Sequence, residues 1–202
     1  MTRGRILVVA LVLGALLAGP ASAQLRSFYV ASESMEPTMT KGDHFFALMS
    51  RPEPLNRGDI VLVETANGHI YVQRVAGLPG DRIEIVDGGV ILNGQPVERR
   101  FVRSDPVTFA GPAQSAQRLA ERFPGEAQPH EVYDSGPSAG DNFALTVVPQ
   151  GHLFLLGDNR DHSADSRFPA RDYGVGMAPI ETVRGVPLFY YSGSRFGQPA
   201  GH

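Results

Sequence analysis

No cysteine occurs among the 202 residues. That excludes a disulfide framework, a thiol nucleophile and a thiolate zinc site, and it leaves an oxidising compartment open to the chain. Lysine is nearly absent too, with Lys41 the only one, so chemistry that needs an amine has a single candidate. The six histidines never fall at HxxxH or HxH spacing, and no metal or cofactor is expected. An excess of positive charge is lacking as well: Lys+Arg 18 against Asp+Glu 21 leaves a net charge of -3. No basic run alternates with aromatics as a nucleic-acid surface requires. What is present, 42% hydrophobic and 19% charged residues, suffices to pack one or two domains.

The one long apolar run is residues 6–23, ILVVALVLGALLAGPASA, which follows Arg3 and Arg5 and carries no charge. A bilayer span takes roughly 17 to 25 residues. The run reads either as a cleavable secretory signal ending in Ala21-Ser22-Ala23 or as an uncleaved single-pass anchor. Both place residues from 24 onward outside the cytoplasm.

Beyond the run, short segments rich in Val, Ile, Phe and Tyr alternate with turn signals. FYVAS, HFFALM, GDIVLVE, HIYVQRVAG, FALTVV and HLFLLG predict strands. Asp87-Gly88-Gly89 predicts a hairpin between DRIEIV and VILNG. Only SAQRLAERF, residues 115–123, predicts a helix. It lies in a polar region, 98–141, read as a small subdomain inserted between two parts of a β core, 24–97 and 142–195, with 196–202 as a tail.

Four blocks could carry chemistry: SESMEPT from Ser32, RGDIV from Arg57, QRVAGLPGD from Gln73 and GDNRDHSADSR from Gly157. Singly, the first and last read as polar loops and the middle two fall on the predicted strands GDIVLVE and HIYVQRVAG. In this order they resemble the type I signal peptidases, membrane-anchored serine peptidases that remove secretory signal peptides. The resemblance implies a mainly β fold of coiled antiparallel sheets with a small inserted subdomain behind one N-terminal transmembrane helix. It also implies GVPLFYY as a closing strand.

By that resemblance Ser34 is the nucleophile. Ser32 helps its backbone N–H hold the oxyanion, and Ser163 orients the general base. Asp165 and Arg167 form a bracing ion pair with Arg74 beside it, and Asp158 gives further support. Val30, Met35, Tyr71 and Val72 wall the substrate groove. The implied partners are signal peptides of exported preproteins and the lipid bilayer, with the body on the outer face of the cytoplasmic membrane. Phe28, Phe45 and Phe46 are expected to rest on that bilayer.

The family's base is a lysine immediately before Arg74, and here that residue is Gln73. A carboxamide has almost no basicity. Three substitutes are available, Lys41, His69 and His162, and all are poorly placed by sequence. The expected function is therefore a signal peptidase I-like endopeptidase for AxA-type signal peptides with impaired turnover. The alternatives are an inactive signal-peptide-binding pseudoenzyme, working beside a second, active peptidase, and a specialised conjugative pilin-processing relative.

Overall fold

The computed structural model describes residues 24–109 and 111–200. The apolar run 6–23, expected as a transmembrane helix, lies outside the described residues. Among those described, no helix is long and apolar enough to cross a membrane.

In chain order the strands are β1 (Gln24–Tyr29), β2 (His44–Met49), β3 (Ile60–Glu64), β4 (Ile70–Gly77), β5 (Arg82–Val86), β6 (Gly89–Leu92), β7 (Gln95–Pro96), β8 (Glu98–Val107), β9 (Gln114–Arg122), β10 (His130–Asp134), β11 (Phe143–Val147), β12 (His152–Leu156), β13 (Ala178–Pro179) and β14 (Val183–Tyr190). Helix among the described residues is limited to single 3₁₀ turns. The fold is mainly β, with every pairing between named strands antiparallel.

The largest sheet runs β1-β2-β14-β3-β4-β12-β13. Its centre shows why IVLVE becomes a strand buried on both faces. Side chains alternate across a strand, so Ile60 and Leu62 join Val30, Met35 and Phe45 on one side, while Val61 and Val63 join Val75 and Leu155 on the other. Phe45 thus belongs to the core and is 1% exposed, not at a bilayer surface. Phe28 stacks on it at 5.6 Å. Phe46 lies on the opposite face, with Phe189 and Tyr191.

A second sheet, β11-β5-β6-β7, packs Ile83, Ile85, Val90 and Leu92 against Phe154 and Leu156. The hairpin between β5 and β6 turns at Asp87, φ 48°, and Gly88, φ 74°. Two left-handed residues in a two-residue loop match the right-handed twist of the strands they join.

Residues 115–123 are not helical. They lie in β9, at the centre of a third sheet of order β10-β9-β8. Ala, Leu, Arg, Glu and Gln favour a helix intrinsically, but by tenths of a kcal/mol per residue. Here a strand on each side completes the backbone hydrogen bonds. Arg118 also reaches Asp105 on β8 at 2.6 Å and Glu131 on β10 at 2.8 Å, so cross-strand pairs reinforce the register. This sheet abuts the 157–167 segment, where the Tyr133 N–H donates to the Asp158 carbonyl at 2.8 Å.

Candidate active site

Three pieces of chain meet at the site. β1 ends at Tyr29, three residues short of the Ser32 terminus expected from FYVAS. Val30 is still held by reciprocal bonds to Asp43 and Gly42, and the chain then turns through residues 32–39. Met35 and Met39, 1% and 0% exposed, plug this turn into the core and leave Ser34 at its apex. The Ser34 hydroxyl lies 3.1 Å from that of Ser32.

The second piece is the first half of β4. β3 pairs with Ile70 to Arg74 on one side, whereas β12 pairs only from Arg74 onward. One edge of residues 70–73 is therefore left without a strand. A 430 Å³ cleft runs along it and is lined by Val30, Met35, Tyr71, Val72, Ser34 and Gln73, among others. Val72 packs with the Met35 cluster and Tyr71 with the Val75 cluster. A groove over a strand edge is reached from both faces, so consecutive residues serve it together.

The third piece is residues 157–167. Gly157 is fixed by close approach: a Cβ there would sit 2.6 Å from the Ser34 carbonyl oxygen and collide with Ser163. The Asn159 N–H donates to the Ser34 carbonyl at 3.0 Å, and the Asn159 side-chain amide donates to the Glu33 carbonyl at 3.1 Å. Residues 33–34 and the 157–167 segment are thus stapled together by Asn159.

Two buried ion pairs frame this junction. Arg167 grips Asp165 bidentately at 2.8 and 2.7 Å, and Asp165 accepts the Gly157 N–H at 3.0 Å. Arg74, expected beside that pair, has a partner of its own. It clamps Asp158, at 2.8 and 2.7 Å, and donates to the Gly58 carbonyl at 2.7 Å. Burial pushes the Asp158 carboxyl up, but the Arg74 charge and hydrogen bonds outweigh it and hold it below its ordinary value. Thr38 completes the clamp at 2.5 Å.

A further buried chain was not legible in sequence. Arg160 pairs with Glu121 of β9 and donates to the Gly157 carbonyl at 3.1 Å. His130 lies between Glu121 at 3.4 Å and Glu126 at 3.0 Å. Only Arg160 lay in a motif; its partners come from the third sheet.

Gln73 is 2% exposed. Its Nε2 lies 3.4 Å from Ser163 Oγ, and its buried Oε1 has no hydrogen-bond partner in the protein. In either orientation the carboxamide offers no basic nitrogen. Lys41 does not compensate, because its ammonium binds Glu33 at 2.7 Å with half the side chain exposed, and that bond raises its pKa. His69 and His162 both line the cleft. A larger cleft of 690 Å³ opens beside Arg57, Arg74 and His130 but is lined by no serine.

The chain matches the family described as Signal peptidase, peptidase S26 over residues 3–191. Among curated relatives, signal peptidase I of Bacillus amyloliquefaciens is 29% identical over 166 residues, covering 81% of this chain and 74% of that one. Signal peptidase I T of Bacillus subtilis is 28% identical over 192 residues, covering 93% and 83%. The crystal structure of a signal peptidase I from Enterococcus faecalis aligns at 25% identity with a TM-score of 0.38, covering 68% of this chain and 98% of that one. With a family match over nearly its whole length, the chain belongs to the signal peptidases of family S26 and is a serine peptidase by descent.

Proposed function

We propose that the protein is an endopeptidase that cleaves AxA-type signal peptides of exported preproteins, with Ser34 as nucleophile and turnover impaired by Gln73. One observation carries the reading: Ser34, 3.1 Å from Ser32, shares a strand-edge cleft with a buried carboxamide where the family has its base. An extended peptide adds to the open edge of residues 70–73 by backbone hydrogen bonds, and its small side chains enter the apolar walls made by Val30, Met35, Tyr71 and Val72. In the transition state the carbonyl oxygen turns toward the Ser32 hydroxyl, and losing one such donor costs about 3 kcal/mol.

The site in this reading works at the outer face of the cytoplasmic membrane. Residues 24–33, between the apolar run and Ser34, reach roughly 36 Å at full extension, which keeps the nucleophile near a bilayer when the run stays attached. The test is cleavage of an AxA peptide by the protein and by Gln73→Lys. The lysine variant should be faster by about 10²-fold, and equal rates would refute the missing-base argument.

A further inference from the structure

With Gln73 unable to take a proton and Lys41 held as an ammonium, two imidazoles remain in the Ser34 cleft. His69 sits at the start of β4, about 13 Å along the strand from Gln73. His162 is tied to the nucleophile. Its N–H donates to the Asn159 carbonyl at 3.1 Å, and the Asn159 N–H donates to the Ser34 carbonyl at 3.0 Å.

On an extended segment His162 and Ser163 would point to opposite sides. Instead, residues Arg160–His162 form a 3₁₀ turn, in which successive side chains are about 120° apart. That turn lets Ser163 reach Gln73 while His162 lines the same cleft. The ring is also seated. It packs on Phe109 with centroids 4.4 Å apart, and Gln114 lies 3.3 Å from its Nε2. With its carboxamide oxygen turned to the ring, Gln114 accepts the Nε2–H, and Nδ1 is left to accept a proton.

We propose that His162 is the general base for Ser34 in this chain, in place of the absent lysine. The inference rests on the peptidase reading and adds the residue through which the remaining turnover runs.

The Ser34 proton moves to the His162 imidazole, directly or through one water, as Oγ bonds the scissile carbonyl carbon. The imidazolium returns that proton to the leaving amine as the C–N bond breaks. A water then attacks the acyl ester and gives a proton to His162. That proton goes back to Ser34 Oγ as the ester C–O bond breaks. Glu33, which precedes Ser34 in the chain, is paired with the Lys41 ammonium at 2.7 Å. The other charged groups nearby are already engaged: Arg160 with Glu121, and Asp161 with the Ser135 N–H. Phe109, just past β8, and Gln114, at the start of β9, contact the ring and are uncharged.

The experiment follows kcat/KM against pH for the full chain in detergent, using an AxA peptide and the parent, His162→Asn, Gln73→Lys and Gln73→Lys/His162→Asn forms. A positioned base is worth about 10²- to 10⁴-fold. His162→Asn should therefore lose at least about 100-fold, mostly in kcat, together with the fall in rate between about pH 8 and 5 that a histidine base imposes. The double variant should keep the Gln73→Lys rate, which shows an intact site. An unchanged rate and pH profile in His162→Asn would overturn the proposal, as would a double variant much slower than Gln73→Lys. Turnover by Gln73→Lys but not by the parent would overturn the proposal alone. No turnover by either would overturn the peptidase reading with it.

Discussion

Arg74 and Gln73 are neighbours on β4, each 2% exposed, yet their surroundings are opposite. Arg74 spends its donors on Asp158 and the Gly58 carbonyl, and Asp158 takes Thr38 as well. Gln73 has one long contact to Ser163 and a buried oxygen with no partner in the protein. The Arg74–Asp158 pair is fully engaged, whereas Gln73, which lines the cleft, keeps an unpartnered oxygen. Alternation explains the division: one side chain faces the loop junction and the next faces the cleft.

The sharpest way to break the contrast is to put a lysine at position 73. Gln73→Lys should raise peptide cleavage by about 10²-fold, since losing a base typically costs on the order of 10⁴ and a substitute histidine restores at least about 100-fold of that. Burial would depress the amine's pKa, as a neutral nucleophile-activating lysine needs. Steady-state rates on an AxA peptide decide it.

Arg74→Met should act on the frame instead. Breaking a buried pair strands a charge and costs about 3 to 5 kcal/mol, visible as a lower urea midpoint. A loss below about 1 kcal/mol would show that Asp158 finds other support.

The Arg160–Glu121–His130 chain extends the frame into the third sheet, and its stability should depend on pH from both sides. Burial pushes Glu121 up, but Arg160 and His130 more than reverse this and bring it to about 2, from 4.5. Its contribution is thus complete above pH 4.5 and lost as pH falls toward 2. Burial pushes His130 down, but its bonds to Glu121 and Glu126 win and raise it above 6.5. Its contribution is complete below pH 6.5 and lost as pH rises through the raised value. Urea midpoints should peak between these limits, and His130→Gln should remove the alkaline decline.

Smaller effects test the unsatisfied amide and the surface. Gln73→Met replaces an orphaned oxygen with an apolar group of similar size and should stabilise the fold by about 1 kcal/mol. Lys41→Ala breaks an exposed pair and should change stability by less than about 0.5 kcal/mol, with cleavage unaffected. A lost activity there would make Lys41 the base after all.

Much of the sheet structure was readable because its signals are local. IVLVE, HLFLL and the Asp87-Gly88 turn each carry their own instruction. Residues 115–123 misled because their composition favours a helix, and only β8 and β10 on either side make them a strand. Phe45 misled for a related reason, since adjacent strand residues face opposite ways and sequence does not say which face is covered. No partner for Arg74 was legible, because Asp158 and Asp165 are equally acidic in sequence and only the backbone path separates them.

Sequence alone determined the ordered motif blocks, the family they imply and the carboxamide at position 73, since all are matters of residue identity. It also set the β character of most segments through side-chain type and spacing. Tertiary structure decided which carboxylate each arginine clamps, that the third sheet supplies Glu121 and His130 to the 157–167 segment, and that one 3₁₀ turn puts His162 in the cleft and Ser163 against Gln73. Those outcomes depend on contacts between residues far apart in the chain, which no local pattern records.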